Sequence, residues 1–360
     1  MNERLRQLLT AERPVYLLGL LRVALAGFVL LGTVNAIRET SDQGYFGDVF
    51  HIPLLPEQAV PSRSVYLGLL VGRALAASLA LVGVLARPSL LVAALIGLYC
   101  MACDRLQYHN NRYVLELLTF LLAFARCDRS LRWGVNEPDA RGPWWPSWLM
   151  KVQISLVYIG SAGSKLVDFD WRGGQVLHIR YLRVLEVAAE RGKELPAWVH
   201  SALSSPLFAE LTSKAAIFGE LFLAIGLWLP RTRALALWLG VLLHFGIQVA
   251  ARVEIFSFLM GAAYLLFSQP ELRERKLYLG PASQLWGRIV RRLDWLRRFE
   301  IIEQPGEFAA ADRGGEPQRG LGAWVVLARA LPLLFPLWLP LKLVARFARR
   351  AATLAPPQRA

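Results

Sequence analysis

Eight apolar runs, at residues 15–37, 65–85, 90–103, 113–125, 148–163, 215–229, 234–251 and 255–267, dominate the first 267 positions of the chain. Short polar connections separate them. Only 19% of the chain is charged and its mean hydropathy is +0.38, whereas soluble domains carry roughly 25% charged residues. A lipid bilayer is the solvent that accepts such a pattern. Several runs fall short of the roughly 20 residues a helix needs to cross. Polar residues at their ends must then supply the missing turns, and those ends must face protein or a cavity rather than lipid. The sequence therefore predicts an all-α fold, a polytopic membrane helix bundle of about eight transmembrane helices.

Charge placement orients the bundle. The net charge of +14 would suit a nucleic-acid partner, but the arginines fall in short connections instead. Arg126, Arg129, Arg132, Arg141 and Lys151 share one of them, Arg87 marks a second, and Arg231 and Arg233 mark a third. With a basic N-terminus, these all fall on one side, as the positive-inside pattern requires. The expectation is a multi-pass cell-membrane (inner-membrane) protein with both ends of the bundle cytoplasmic, no nucleic-acid partner, and residues 15–37 as a signal anchor. The cysteines Cys100, Cys103 and Cys127 cannot build a disulfide framework. Cys100 and Cys103 form a C-x-x-C inside an apolar run, where packing is the simpler role. Metal-ligand spacing, nucleotide-binding glycine motifs and H-E-x-x-H or G-x-S-x-G motifs are absent.

Beyond the membrane domain expected at 1–268, residues 269–302 read as a basic amphipathic segment on the cytoplasmic face. There Leu285, Ile289, Leu293, Leu296 and Phe299 recur at helical spacing between arginines. Residues 303–320 read as a polar linker. Residues 321–360 read as a hydrophobic helix with a basic tail, either a ninth span or a helix lying on the membrane.

With that topology the polar residues at membrane depth gather in the outer half. Asp104, Gln107, His109 and Asn110 end the third run, and Asn111, Arg112, Tyr113 and Glu116 open the fourth. Ser161, Ser164 and Lys165 end the fifth, Glu220 lies in the sixth, His244, Gln248 and Arg252 in the seventh, and Glu254 and Ser257 open the eighth. Arg73 sits in the outer half of the second. A buried charge costs several kcal/mol or more unless paired. Arg73, Glu116, Lys165, Glu220, His244 and Glu254 are therefore expected to neutralise one another, either around one cavity or as a structural network between helices. Lys165 is the strongest chemical lead. Set among small residues, it either snorkels to the headgroups or is desolvated, and a desolvated amine held neutral is a base. The outer connection bearing Trp171, Gly173, Gly174 and His178 suits an interfacial segment over the cavity.

Three blocks carry a resemblance. They are the stretch from Asp104 through His109-Asn110-Asn111-Arg112-Tyr113, the stretch Tyr158-Ile159-Gly160-Ser161-Ala162-Gly163-Ser164-Lys165-Leu166 followed by Asp170-Trp171, and Glu220 through Trp228-Leu229-Pro230 to His244 and Glu254. Together they resemble the HTTM-type membrane domain, whose best-known member is the vitamin K-dependent gamma-glutamyl carboxylase. The match covers roughly residues 4–267. The resemblance implies a quinone cofactor, reduced vitamin K or a relative, and a catalytic lysine at Lys165. It also implies chemistry in which a deprotonated hydroquinone reacts with oxygen to make a strong base. Where the carboxylase carries Asn-Asn-His-Ser-Tyr, this chain has His109-Asn110-Asn111-Arg112-Tyr113. Asn110 is kept, and Asn111 replaces the histidine. No large extracytoplasmic substrate domain is expected after residue 267, so carboxylation of a tagged protein is not.

Two functions follow. One is a quinone- or lipid-dependent membrane enzyme with Lys165 as base and His244 and Glu220 beside it. Asn110, Asn111, His109, Tyr113, Glu116, Arg73, Gln248 and Trp171 would bind substrate. The other is a non-enzymatic binding or transport protein in which the same residues form a relay or structural network.

Overall fold

The computed structural model describes residues 3–42, 46–47, 52–105, 108–134, 137–251, 253 and 255–354. The chain divides into two compact units, Met1–Pro270 and Glu271–Ala360.

The first unit is a helical bundle. A short α1 (Glu3–Thr10) leads to β1 (Glu12–Pro14), which pairs antiparallel with β2 (Arg141–Pro143). Next, α2 (Tyr16–Ser41) runs 26 residues, about 39 Å at 1.5 Å per residue. It buries Leu17, Leu18, Leu21, Leu25 and Val29 and packs against α3 (Arg63–Val82), α5 (Asn110–Leu122) and α12 (Phe256–Ala263). Gly83 ends α3 in the left-handed conformation (φ 86°), where glycine escapes the Cβ penalty. A Cβ there would also lie 2.9 Å from the Arg132 backbone. α4 (Ala86–Cys103) packs between α3 and α5. Cys100 and Cys103 form no disulfide and are buried against Tyr66 and Leu70.

The other half of the bundle is built on α6 (Trp145–Val167), which carries a proline in its first turn. The short α7 (Phe169–Arg172), α8 (Gln175–Glu190) and α9 (Ala197–Ser204) follow, then α10 (Pro206–Gly226) and α11 (Arg233–Ala251). α12 continues into a 3-10 turn, Tyr264–Leu266. α10 packs on α6, α8 and α11. Among the described residues, α2, α3 and α4 are long and apolar enough to cross a membrane, and Arg233–Val249 and Phe256–Leu266 are apolar but shorter. The chain is thus a mostly helical membrane protein.

Two buried cations explain how the first helices stay together. Arg22, fully buried in α2, donates through Nη1 to the carbonyls of Cys127 and Ser130 at 2.8 and 3.2 Å and through Nη2 to that of Leu131 at 2.5 Å. It thereby ties the long helix to the loop after α5. Nothing in the apolar pattern singles it out. Arg73 of α3 donates through Nε to the Ala93 carbonyl at 3.1 Å and pairs with Glu116 of α5. Gly97 of α4 makes room for that carboxylate, and a Cβ there would overlap it. The pair joins α3, α4 and α5.

The second unit corrects the all-helical expectation. β3 (Arg275–Leu279), α13 (Gln284–Leu293), β4 (Phe299–Glu303), β5 (Ala309–Ala311) and β6 (Gln318–Arg319) form a four-stranded sheet ordered β4-β3-β5-β6, with α13 crossing between the parallel β3 and β4. Residues 275–279 alternate buried and less buried positions, the period of a half-buried strand. The helical spacing at 284–300 is interrupted. α13 stops at Leu293, and Phe299 enters β4. The 303–320 stretch carries β5 and β6 where a linker is expected; its small buried alanines hide the strand in the sequence. α14 (Leu321–Ala330) ends before Pro332, with Leu331 extended, because a proline restricts the residue before it and donates no N–H. Its 10 residues reach only about 15 Å, half a bilayer core. α15 (Trp338–Leu354) completes the unit. Arg298 is buried against Glu274 at 3.2 Å and the Glu271 carbonyl at 2.8 Å. Burial lowers its guanidinium to about 10, so it stays charged at neutral pH.

Glu116→Ala would leave Arg73 buried without its counter-charge. A loss of about 3–5 kcal/mol is expected, read as a lower melting temperature in detergent. The Arg73→Met/Glu116→Met double variant is expected to recover most of it.

Candidate functional site

The membrane unit holds a cavity of about 1160 Å³ between α5, α6, α10 and α11, roofed by α8 and α9. This is above the usual range for small-molecule sites, roughly 300–1,000 Å³. Its walls are largely apolar, with Leu156, Leu223, Leu239, Leu242, Phe245 and Val249 among them. Its polar lining includes Lys165, Ser161 and Glu220, with Asn110, Asn111, Gln153, Arg180 and Thr212 elsewhere on the wall.

Lys165 lies in the last turn of α6. Its Nζ donates to Ser161 Oγ, one turn earlier, at 2.6 Å, and to both carboxylate oxygens of Glu220 on α10 at 2.7 and 2.8 Å. Both side chains are mostly buried. The Trp171 ring covers the remaining side, its centroid 5.1 Å from Nζ, within cation–π range.

Local sequence chemistry puts Trp171 there. Asp168 caps α7, its Oδ1 accepting from the Asp170 and Trp171 backbone N–H groups at 2.8 and 3.1 Å; such a cap contributes about 1 kcal/mol. The Trp171 carbonyl accepts from Ser213 Oγ at 2.5 Å. Gly174 (φ 78°) then turns the chain against α10, where a Cβ would lie 2.5 Å from the Glu210 backbone. The Tyr181 hydroxyl donates to Thr212 Oγ1 at 3.0 Å and pins α8 to α10.

The structure divides the expected polar set. Lys165, Glu220, Trp171, Asn110, Asn111 and Tyr113 line the cavity. Arg73 and Glu116 do not; they form the separate buried clamp between α3, α4 and α5. His109 occupies the N-cap position of α5 and is exposed there. Gln248 lies on α11 outside the lining, its Oε1 buried and unpartnered. Gln107, Arg252 and Glu254 lie outside the described residues. Among the described residues the expected set therefore holds two separate ion pairs: Lys165 meets Glu220 on α10, packed beside α6, and Arg73 reaches Glu116 of α5 past α4.

His244 also stands off the cavity. Its Nε2 is 2.8 Å from the Tyr158 hydroxyl, which is 2.6 Å from the Tyr264 hydroxyl, and all three side chains are buried. Gly240 leaves room for the Tyr264 hydroxyl, which a Cβ would overlap. His244 Nδ1 has no partner. A row of two phenols and one imidazole can pass a proton by a concerted switch of hydrogen bonds and tautomer. Tyr264 and Ser161 have no place in the sequence-based candidate site. The i, i+4 spacing of Ser161 and Lys165 is a signal that could have marked Ser161.

A helical membrane bundle with a buried lysine–glutamate pair in the wall of a largely apolar cavity is the class these observations define. Residues 12–272 match the family model described as the HTTM domain, and the chain belongs to that family. No curated protein and no solved structure matches significantly.

Trp171→Ala removes the cover but leaves both partners of the ion pair. Modification of Lys165 by an amine-reactive reagent, read by peptide mass spectrometry, is expected to quicken. Glu220→Gln, which weakens the pair itself, should quicken it further. Equal rates in all three proteins would show that neither group shields the amine.

Proposed function

We propose that this HTTM-family protein binds a quinone- or lipid-like molecule in the Lys165 cavity and uses Lys165 as the base on its polar end. The observation that carries this reading is the contrast within one cavity: largely apolar walls, and a buried ion pair at 2.7 Å set into them. A molecule with an apolar tail and a hydroxylated head matches both parts. Binding would expel water from around the pair. To act as a base Lys165 must be neutral, so its proton would first pass to Glu220, leaving an amine and a carboxylic acid. The amine would then take a proton from the ligand hydroxyl, with Asn110 and Asn111 orienting the head group. The quinone supplies the redox chemistry when bound. Tyr158, Tyr264 and His244 would act behind the cavity, in proton movement rather than ligand contact. The reading includes eight crossings of the cell membrane with a cytoplasmic N-terminus, supported by the basic short connections.

A second reading, a non-enzymatic binding or transport protein, is favoured by one feature. Lys165 Nζ already makes three hydrogen bonds, as a purely structural ion pair would.

Oxygen uptake by the protein in nanodiscs, with a reduced quinone supplied, separates the two. The enzymatic reading expects uptake that Lys165→Gln lowers by about 10²-fold or more, the order of a lost general base. Gly219→Leu should abolish quinone binding while preserving the fold. Gly219 lines the cavity, and a Cβ there meets nothing within 4 Å. Quinone binding without oxygen uptake would select the second reading. Absence of quinone binding would defeat the enzymatic reading.

A further inference from the structure

We infer that α15 is a docking helix for an anionic bilayer surface, a role separate from the cavity reading. Trp338 and Ala345, two turns apart, are buried on the side where α15 packs on α14. The other side holds Leu343, Val344 and Phe347, which are 47%, 54% and 65% exposed. Positions 343 and 347 are one turn apart, and 344 lies beside them, so the three make one continuous apolar stripe. Lys342, Arg346, Arg349 and Arg350 flank that stripe, and Trp338–Leu354 contains no acidic residue. Lys342 extends over the Trp338 ring at 5.4 Å, and Arg349 donates to Gln318 Oε1 at 2.8 Å. These contacts hold the basic flank along one edge of the helix.

An apolar stripe bordered by cations is the arrangement that lies in a headgroup layer, its aliphatic side in the acyl boundary and its cations among lipid phosphates. Other occupants fit worse. A second copy would set the same basic flank against itself, with no carboxylate on α15 to pair it. A nucleic acid would match the cations and leave the apolar stripe in water. The same chain carries the membrane bundle, so the effective concentration of lipid at α15 is high without any strong affinity of its own.

The test uses the full chain in nanodiscs, carrying Val344→Cys labelled with an environment-sensitive fluorophore. The native cysteines are all buried. Nanodiscs of phosphatidylcholine alone are compared with a phosphatidylcholine–phosphatidylglycerol mixture. The expected result is a blue-shifted emission, quenched by brominated acyl chains, in the anionic discs only. It should be reversed by high salt, which screens the headgroup field, and weakened by Lys342→Gln with Arg346→Gln. Both substitutions are on the exposed flank, and a melting curve matching the parent protein's would confirm that the fold is kept. A water-like, unquenched emission in both lipids would overturn the inference. A blue shift that depends on protein concentration and not on lipid charge would also overturn it, assigning the stripe to a second copy.

Discussion

A cation among apolar side chains is stable only where a carboxylate or a set of carbonyls meets it; α2, α3 and α6 each carry one. Arg22 is met by three carbonyls of the loop after α5, Arg73 by Glu116 and the Ala93 carbonyl, and Lys165 by Glu220 and Ser161. Each solution fixes which helices are neighbours. Arg22 binds α2 to a loop more than a hundred residues away, Arg73 gathers α3, α4 and α5, and Lys165 joins α6 to α10. Apolar packing alone would not choose among helices, because lipid tails are as apolar as leucine.

The three solutions differ in what they leave open. Arg22 is enclosed by backbone, and Arg73 and Glu116 are sealed beneath Gly97, where a methyl group would overlap the carboxylate. Neither reaches the large cavity. Lys165 lies at the cavity wall, and its cover is Trp171 on the four-residue α7. The same physical requirement thus makes two sealed clamps and one ion pair at a cavity wall.

That distinction was only partly legible in the sequence. The apolar runs announced a membrane bundle, and the small-residue run ending at Lys165 announced its chemical lead. Run length and charge could not say which carboxylate each cation would choose, since Glu116 and Glu220 look alike until α5 and α10 are placed. The expected topology groups His244 with Lys165 at one depth, but depth does not fix the face. The turn of α11 directs His244 to Tyr158 instead of the cavity. Arg22 was invisible for a related reason: one arginine barely alters an apolar average, and its acceptors are backbone carbonyls that no side-chain pattern records. In the C-terminal unit the basic residues spaced at 284–300 imitate one amphipathic helix. The chain breaks it at Asp294, whose carboxylate accepts from the Arg298 and Phe299 N–H groups and starts β4.

The cover over Lys165 also explains why a short, exposed connection is built so specifically. The Asp168 cap, the Gly174 corner and the Ser213 hydrogen bond converge on holding one indole ring 5.1 Å from one ammonium group. A structural ion pair between α6 and α10 needs none of them, because Glu220 already satisfies the charge. What the indole adds is a cation–π contact on a side of the amine that neither Glu220 nor Ser161 occupies. A lysine serving only as a clamp, as Arg73 shows in this same chain, is sealed by packing. Lys165 is instead covered by a four-residue helix that the cap, the corner and the hydrogen bond hold in place, a cover separate from the ion pair itself.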